Sequence, residues 1–449
     1  MVKEIVFKRK IYNDLLEWKK NNGEYSLLIE GARRVGKSTI VKEFARNEYK
    51  SYIYIDFNKN DDKLINIFED SSSDLNEFYE KLKAYFSTEL YERNSLIIFD
   101  EVQQYPKARA LTKYLVEDRK YDFLLTGSLI RIKKNIKDIT IPSEEQKIQM
   151  FPLDFEEFLW AMGDEVTVPV LRKHFEERIP IGNLHSNIMK KWRTYLLLGG
   201  MPQSIKSYLQ KNEFSASEKA KRLILDLYND DIYKFGDGNE ARAKAIFDNI
   251  PGQLSNESKK FSFSSISKNT RFDDLEGAIN WLKESMITNI CYSINEPSIA
   301  LSLSKNDSFF KCYSSDVGLL ITQSYKNKKY LDSEVYKAIV LDKFNTNEGM
   351  IVENFVAQTL RSLGYDLYFY SKKDNANSEN TMEIDFIIIQ DKKINPIEVK
   401  SGNYKATTSL DRFKNKFKKI VGTRYVLHTK DLKVEDDKIY LPLYMTMFL

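Results

Sequence analysis

The segment Gly31-Ala32-Arg33-Arg34-Val35-Gly36-Lys37-Ser38 has the spacing of a phosphate-binding loop, the Walker A pattern, with Thr39 next in the chain. Two glycines let successive backbone N–H groups curl around phosphate oxygens, and the helix that the loop opens adds the positive end of its dipole. In that context Lys37 would bridge the β- and γ-phosphates, and the Ser38 hydroxyl would ligate Mg²⁺. The chemistry is binding of a nucleoside triphosphate with Mg²⁺, ATP being the expected one. A Gly-containing strand-to-helix turn that binds nothing is the competing reading. The apolar run Ser26–Glu30 before the loop and the helical spacing after it argue against that.

A second pattern adds hydrolysis to binding. Leu96-Ile97-Ile98-Phe99 is a buried-strand run that ends in Asp100-Glu101, one strand–helix unit downstream of the loop. Asp100 is expected to hold the Mg²⁺ through water, and Glu101 to orient and polarise the attacking water. Alone, an apolar strand ending in two acids would mark only a strand terminus. The next core strand ends in Leu124-Leu125-Thr126-Gly127-Ser128. Thr126 or Ser128 could contact the γ-phosphate or the water, with Ser128 preferred, although both could equally be helix caps.

A separate set of ionisable residues lies near the C-terminus. Glu353 falls on a helix opening near Ile351, Asp385 in one strand, and Glu398-Val399-Lys400 in the next. Residues two apart on a strand share a face, so Glu398 and Lys400 project together. A turn at Asp391-Lys392-Lys393 would fold Asp385 alongside Glu398. Asp385 and Glu398 could then hold Mg²⁺, with Lys400 offsetting charge and Glu353 completing a catalytic group. This order resembles the PD-(D/E)xK nuclease arrangement, with Ile384 where a proline usually precedes the acid. Two other readings remain open: a nuclease fold that only binds nucleic acid, and a half-buried strand whose acids and lysines merely pair.

These groups need scaffolds. Strand-like runs at Ser26–Glu30, Tyr52–Phe57, Ser95–Phe99, Phe123–Leu125 and Lys147–Phe151 alternate with helical stretches such as Ser38–Phe44 and Leu75–Leu90. That alternation predicts a mainly parallel sheet covered on both faces. Residues 153–238 read as helical, broken by Gly199, Gly200 and Pro202. Residues 239–324 have a helix ending near Gly252, a second at Asp274–Met286, and β-rich sequence at Ile287–Ile294, an order compatible with a winged-helix unit. Residues 325–347 read as a linker. A helix at Ile351–Leu363 and strands at Asp366–Tyr370, Ile384–Gln390, Asn395–Lys400 and Thr423–His428 complete the chain.

Composition sets bounds rather than a function. Hydrophobic residues make up 42% and charged residues 30% of 449 residues, a globular balance requiring more than one core. No apolar run is long enough to cross a bilayer, and the first ten residues lack a signal-peptide core. Two cysteines, Cys291 and Cys312, have no metal-ligand spacing, so a reduced cytoplasmic setting is expected. Net charge is +4, from 69 Lys and Arg against 65 Asp and Glu, too little to imply a nucleic-acid partner by itself. Local basic clusters are the better signal: Lys405, Arg412, Lys414, Lys416, Lys418 and Lys419; and Arg131, Lys133, Lys134 and Lys137. DNA contact is expected there, with Lys268 and Arg271 as further candidates for the backbone.

The phosphate loop, Ile97-Ile98-Phe99-Asp100-Glu101-Val102-Gln103, Leu125-Thr126-Gly127-Ser128 and Phe151-Pro152-Leu153-Asp154-Phe155-Glu156-Glu157-Phe158 together resemble the prokaryotic AAA-type, archaeal-ATPase-like P-loop ATPases with a C-terminal nuclease-like domain. Leu198-Gly199-Gly200-Met201-Pro202, Tyr313-Ser314-Ser315-Asp316-Val317-Gly318-Leu319 and Ile397-Glu398-Val399-Lys400-Ser401-Gly402 extend the resemblance over nearly the whole chain. It implies an α/β fold in four parts: ATPase core (1–152), helical lid (153–238), winged helix (239–324), then linker and restriction-endonuclease-like domain (325–449). AAA-type enzymes often complete the γ-phosphate site with an arginine from a neighbouring subunit of a homo-oligomer; Arg109, Arg119, Arg131 and Arg193 are candidates, but surface salt bridging is the stronger reading for each and none is assigned. The functional expectation is a Mg²⁺-dependent ATPase acting on or binding DNA, whose C-terminal domain is a metal-dependent endonuclease. The alternative is an ATP-controlled regulatory switch whose C-terminal domain is inactive and only binds nucleic acid or a protein.

Overall fold

The computed structural model describes residues 5–59, 61–70, 74–127, 143–235, 238–256, 258–266, 268–325, 348–374, 381–402 and 406–449. The chain divides into two compact units, Met1–Phe151 and Pro152–Leu449. The three segments expected after residue 152 thus share one unit.

The first unit is a five-stranded parallel sheet: β1 (Ser26–Glu30), β2 (Ser51–Asp56), β3 (Ser95–Asp100), β4 (Asp122–Gly127) and β5 (Glu145–Gln149), in the order β2-β3-β4-β1-β5. β1, β3 and β4 are buried along their whole length, as continuous apolar runs covered on both faces require. Leu28, Ile53, Ile55, Ile97, Phe99, Phe123 and Leu125 pack with Phe57, Phe68 and Phe78 in one core. Because every strand is parallel, the C-terminal ends of β1, β3 and β4 lie at one edge. That edge is where ligands bind in open α/β sheets.

The second unit opens with helices, among them Phe155–Ala161, His185–Leu198, Pro202–Lys211, Phe214–Phe235, Glu240–Ser255 and Phe272–Glu284. An eight-stranded mixed sheet follows. Its strands are β6 (Thr288–Ile294), β7 (Lys305–Ser314), β8 (Leu367–Lys372), β9 (Met382–Gln390), β10 (Lys393–Val399), β11 (Arg424–His428), β12 (Lys433–Glu435) and β13 (Lys438–Pro442). The order is β12-β13-β11-β10-β9-β8-β6-β7.

This sheet does not confirm a separate winged-helix unit. The antiparallel hairpin β6–β7 is no separate wing, because β6 pairs in parallel with β8 through Cys291–Leu367, Tyr292–Tyr368 and Ser293–Phe369. Helical spacing around residues 240–284 is real, but the hairpin's buried residues find their partner strand beyond residue 366. β7, β12 and β13 were not expected. Lys305-Asn306-Asp307-Ser308 opens β7 without apolar alternation, and β12 is exposed throughout. The β9–β10 turn is as expected, with Asp391 and Lys392 both at positive φ (50° and 59°), the backbone of a two-residue hairpin.

The two glycine-containing motifs that extend the family resemblance meet in this unit. Asp316 Oδ2 accepts from the Gly200 N–H at 2.6 Å, while Oδ1 accepts from Leu319 N–H at 2.9 Å and caps the helix Val317–Ser324. A Cβ on Gly318 would stand 2.6 Å from the Gly199 backbone, so this crossing admits no side chain. These residues position helices rather than perform chemistry.

Candidate functional site

The phosphate loop leaves β1 at Glu30 and enters the helix Lys37–Glu48. Gly36 stands at φ 104°, a conformation open to glycine and not to β-carbon residues. Gly31 is required for another reason: a Cβ there would lie 2.5 Å from the Met150 carbonyl, where the chain leaves β5. Arg9 secures the loop from outside, donating to Val35 O at 2.9 Å and to Phe151 O at 2.6 Å. Its place in the sequence gives no sign of this. The Lys37 ammonium is buried and donates to the carbonyls of Gly31 (2.8 Å) and Ala32 (3.1 Å).

Asp100, at the end of β3, is the hub. Ser38 Oγ donates to its two carboxylate oxygens at 3.0 and 2.9 Å. Thr126 Oγ1, at the end of β4, donates to Oδ1, and the Tyr54 hydroxyl, near the end of β2, donates to Oδ2. Burial and the Asp100 carboxylate together push the Tyr54 phenol far above its ordinary range, keeping it a neutral donor. Lys42, one turn into the loop's helix, places its ammonium 3.7 Å from the Tyr54 ring centre. Strand order explains the convergence. β4 lies between β1 and β3, so Thr126 comes between the phosphate loop and Asp100.

Glu101 adopts a left-handed conformation (φ 55°) just past β3. Its N–H donates to Thr126 Oγ1 at 3.2 Å, and its carboxylate accepts from Gln103 Nε2. Thr126 is therefore the described β4 residue that touches both acids. Ser128, with Arg131, Lys133, Lys134 and Lys137, lies outside the described residues. Tyr54 and Gln103 were not singled out from the sequence. Position at a strand end beside β3 is the signal for Tyr54; Gln103 lies in the motif that carries the family resemblance, but its spacing from Glu101 does not give its contact with that carboxylate.

The hydroxyl and carboxylate of Ser38 and Asp100 are hard oxygen donors beside a helix N-terminus, which suits Mg²⁺ and phosphate. Arg109 does not fit a finger role. It is 2% exposed and pairs bidentately with Glu145, Nε to Oε2 at 2.8 Å and Nη2 to Oε1 at 2.5 Å. That pair ties the helix Pro106–Glu117 to β5. Arg131 lies outside the described residues.

Glu353 and Asp385 come together around a lysine that the sequence did not suggest, whereas Glu398 takes the expected Lys400. Glu353, on the helix Glu348–Ser362, is 1% exposed. Its Oε1 accepts from Lys311 Nζ at 3.0 Å and from the Tyr313 hydroxyl, and its Oε2 from Lys259. Burial alone would raise this carboxyl, yet Lys311 and Lys259 outweigh it and hold the group down at about 2. Lys311 also lies 3.5 Å from Asp385 Oδ1 and 3.5 Å from Glu383 Oε1. Asp385 Oδ2 accepts from Val399 N–H at 2.9 Å, and burial with Glu353 nearby raises its carboxyl. Glu398 turns to Lys400 at 2.5 Å, and burial pushes it up to about 7.

The basic run near the C-terminus is partly occupied within the fold. Lys414 pairs with Asp437 at 2.6 Å, Arg412 donates to Thr381 O at 2.9 Å, and Lys416 reaches the Tyr370 hydroxyl at 3.4 Å. Lys405 lies outside the described residues. No helix among the described residues is long and apolar enough to cross a membrane.

Residues 24–159 match the family model of an AAA domain. Residues 189–329 match a domain of unknown function, DUF8612, and residues 348–446 another, DUF4143. No curated protein matches the chain. Among solved structures, C. elegans PCH-2 matches at 10% identity and TM-score 0.22, over 35% of this chain and 46% of that one. This chain thus spans less than half of that structure's length. Cdc6p from Pyrobaculum aerophilum matches at 11% identity and TM-score 0.28, over 76% and 97%. Protein VC1899 from Vibrio cholerae matches at 10% and 0.17, over 94% and 95%. At these values the three structures carry no functional parallel.

Proposed function

We propose, from the AAA-type P-loop ATPase domain that residues 24–159 form, that this chain hydrolyses ATP with Mg²⁺ and uses the cycle to control its C-terminal unit. The observation that carries the reading is the contact between the Ser38 hydroxyl and both Asp100 oxygens at the open edge of a parallel sheet. Ser38 and Asp100 are the residues that would hold Mg²⁺, which would supply neutralisation of phosphate charge. Residues 31–39 wrap the phosphates with backbone N–H groups, and Lys37 leaves the Gly31 and Ala32 carbonyls for phosphate oxygens. Glu101 accepts a proton from the attacking water, with Thr126 holding its backbone N–H and Gln103 donating to its carboxylate.

For the C-terminal unit the regulatory reading is preferred over an endonuclease with Glu353, Asp385, Glu398 and Lys400 as its catalytic set. The lysines on Glu353 and the Glu398–Lys400 pair favour it. DNA is the proposed partner, through exposed basic residues such as Lys418 and Lys419. ATP turnover by the wild type, Lys37→Ala and Glu101→Gln, each with and without duplex DNA, tests both parts. Undiminished turnover in both variants sinks the ATPase assignment. Turnover indifferent to DNA, together with no DNA binding, removes DNA as the partner.

A further inference from the structure

The acid centre of the C-terminal sheet lacks the donor set that a divalent cation needs. A Mg²⁺ or Mn²⁺ site gathers several carboxylate or carbonyl oxygens around one point and keeps that point open. Here the point is filled by protein. Lys311 Nζ stands 3.0 Å from Glu353, 3.5 Å from Asp385 and 3.5 Å from Glu383, and its residue is 1% exposed. The second Glu353 oxygen is taken by Lys259, and the second Asp385 oxygen by the Val399 N–H. Glu398 faces Lys400. Among the described residues no group of three or more His, Cys, Asp or Glu could hold a metal ion.

We propose that the Lys311 ammonium takes the place of the divalent cation, so that Glu353, Asp385 and Glu383 form an ion cluster closed to metals. A tethered cation needs no free ion and is present in every folded molecule. Without Lys311 the buried Glu353 would keep Lys259 alone, and the part-buried Asp385 would face it with no cation between them, a destabilising arrangement that gives Lys311 its function. The lysine comes from β7, within residues 189–329, whereas the acids lie within residues 348–446. The cluster therefore also fastens one matched segment to the other. The inference concerns the second unit alone and stands whether or not the first hydrolyses ATP.

The test uses the full chain without nucleotide, carrying Asp100→Asn to remove the expected cation ligand of the first unit. Free Mn²⁺ is followed by electron paramagnetic resonance, and unfolding is followed by scanning fluorimetry in EDTA and in millimolar MnCl₂. The Asp100→Asn chain is expected to bind no Mn²⁺ and to melt at the same temperature in both media. Adding Lys311→Ala should lower Tm in EDTA and create Mn²⁺ binding that raises Tm again, an effect abolished by Asp385→Asn. Mn²⁺ binding by the Asp100→Asn chain that Asp385→Asn removes overturns the proposal. So does a folded Lys311→Ala chain that gains no Mn²⁺ affinity. If Lys311→Ala does not fold, the comparison of Asp100→Asn with and without Asp385→Asn still decides.

Discussion

The Ser38 hydroxyl lies 2.9 Å from one oxygen of Asp100 and 3.0 Å from the other, joining the helix after β1 to the end of β3 across the intervening β4. Ser38→Ala removes an oxygen from this pair and keeps the helix, since alanine is a good helix former. ATP turnover should fall by about 10²-fold or more, as expected when a metal or transition-state contact is lost. Steady-state rates at varied Mg²⁺ check this, and a rate restored by excess Mg²⁺ identifies the loss as one of metal affinity.

Thr126 donates to Asp100 and accepts from the Glu101 N–H, so Thr126→Val breaks two contacts without changing side-chain shape much. The buried Asp100 oxygen loses a donor, at a cost of about 1–3 kcal/mol. Turnover should fall with little change in nucleotide affinity, because neither contact touches the phosphate loop. Measuring kcat separately from ATP Kd distinguishes this from a general weakening of the site.

Arg109 and Glu145 make a buried bidentate pair, which predicts a stability defect and no specific catalytic one. Arg109→Met removes the bidentate partner of the buried Glu145 side chain, leaving Lys147 at 3.8 Å, and should cost about 3 kcal/mol. Adding Glu145→Leu should recover most of that loss. Chemical denaturation of the three variants checks the cycle. Full stability with abolished turnover in Arg109→Met would instead make Arg109 a catalytic group.

His428 sits 2% exposed at the end of β11, its Nδ1 accepting from the Lys430 N–H at 2.9 Å. Burial, with His185 and Lys430 nearby and Asp431 opposing them, lowers it from 6.5 to about 4. Between those values the unfolded chain binds the proton and the folded one does not. Its contribution is therefore full above pH 6.5 and lost as pH falls to about 4, on the order of 3 kcal/mol. Unfolding free energy measured from pH 7 to 4 should fall, and His428→Gln should flatten that slope.

Gly318 packs against Gly199 with no room for a Cβ, 2.6 Å from its backbone. Gly318→Ala should destabilise the second unit by about 1–3 kcal/mol through backbone displacement. Alanine at Gly252, where a Cβ would meet nothing, should be tolerated or mildly stabilising inside its helix. Thermal unfolding of the two variants separates close packing from a general intolerance of substitution.

The first unit was legible because its signals are local. β1, the phosphate loop, β3 and Asp100-Glu101 follow one another in a spacing that strand and helix geometry impose. Tyr54 and Gln103 were not, since each reaches the acids through a side-chain direction that spacing alone does not give. The C-terminal acids illustrate the opposite case. The register of Asp385 with Glu398 could be read from a two-residue turn, because hairpin pairing is a near-neighbour property. Lys311 could not, because it meets Glu353 only after β6 pairs with β8, a contact between distant parts of the sequence. For the same reason β6 reads from sequence as part of a small independent unit.

That β6–β8 pairing makes residues 288–314 and 348–449 inseparable as folding material. A fragment beginning at residue 348 would present β8 with an open row of amide and carbonyl groups where β6 should lie, and would bury Glu353 without Lys311, Tyr313 or Lys259. The two halves, produced apart, are each other's missing strand. Mixing them is fragment complementation, and heritable separation of one from the other would strand an edge and a charge at once.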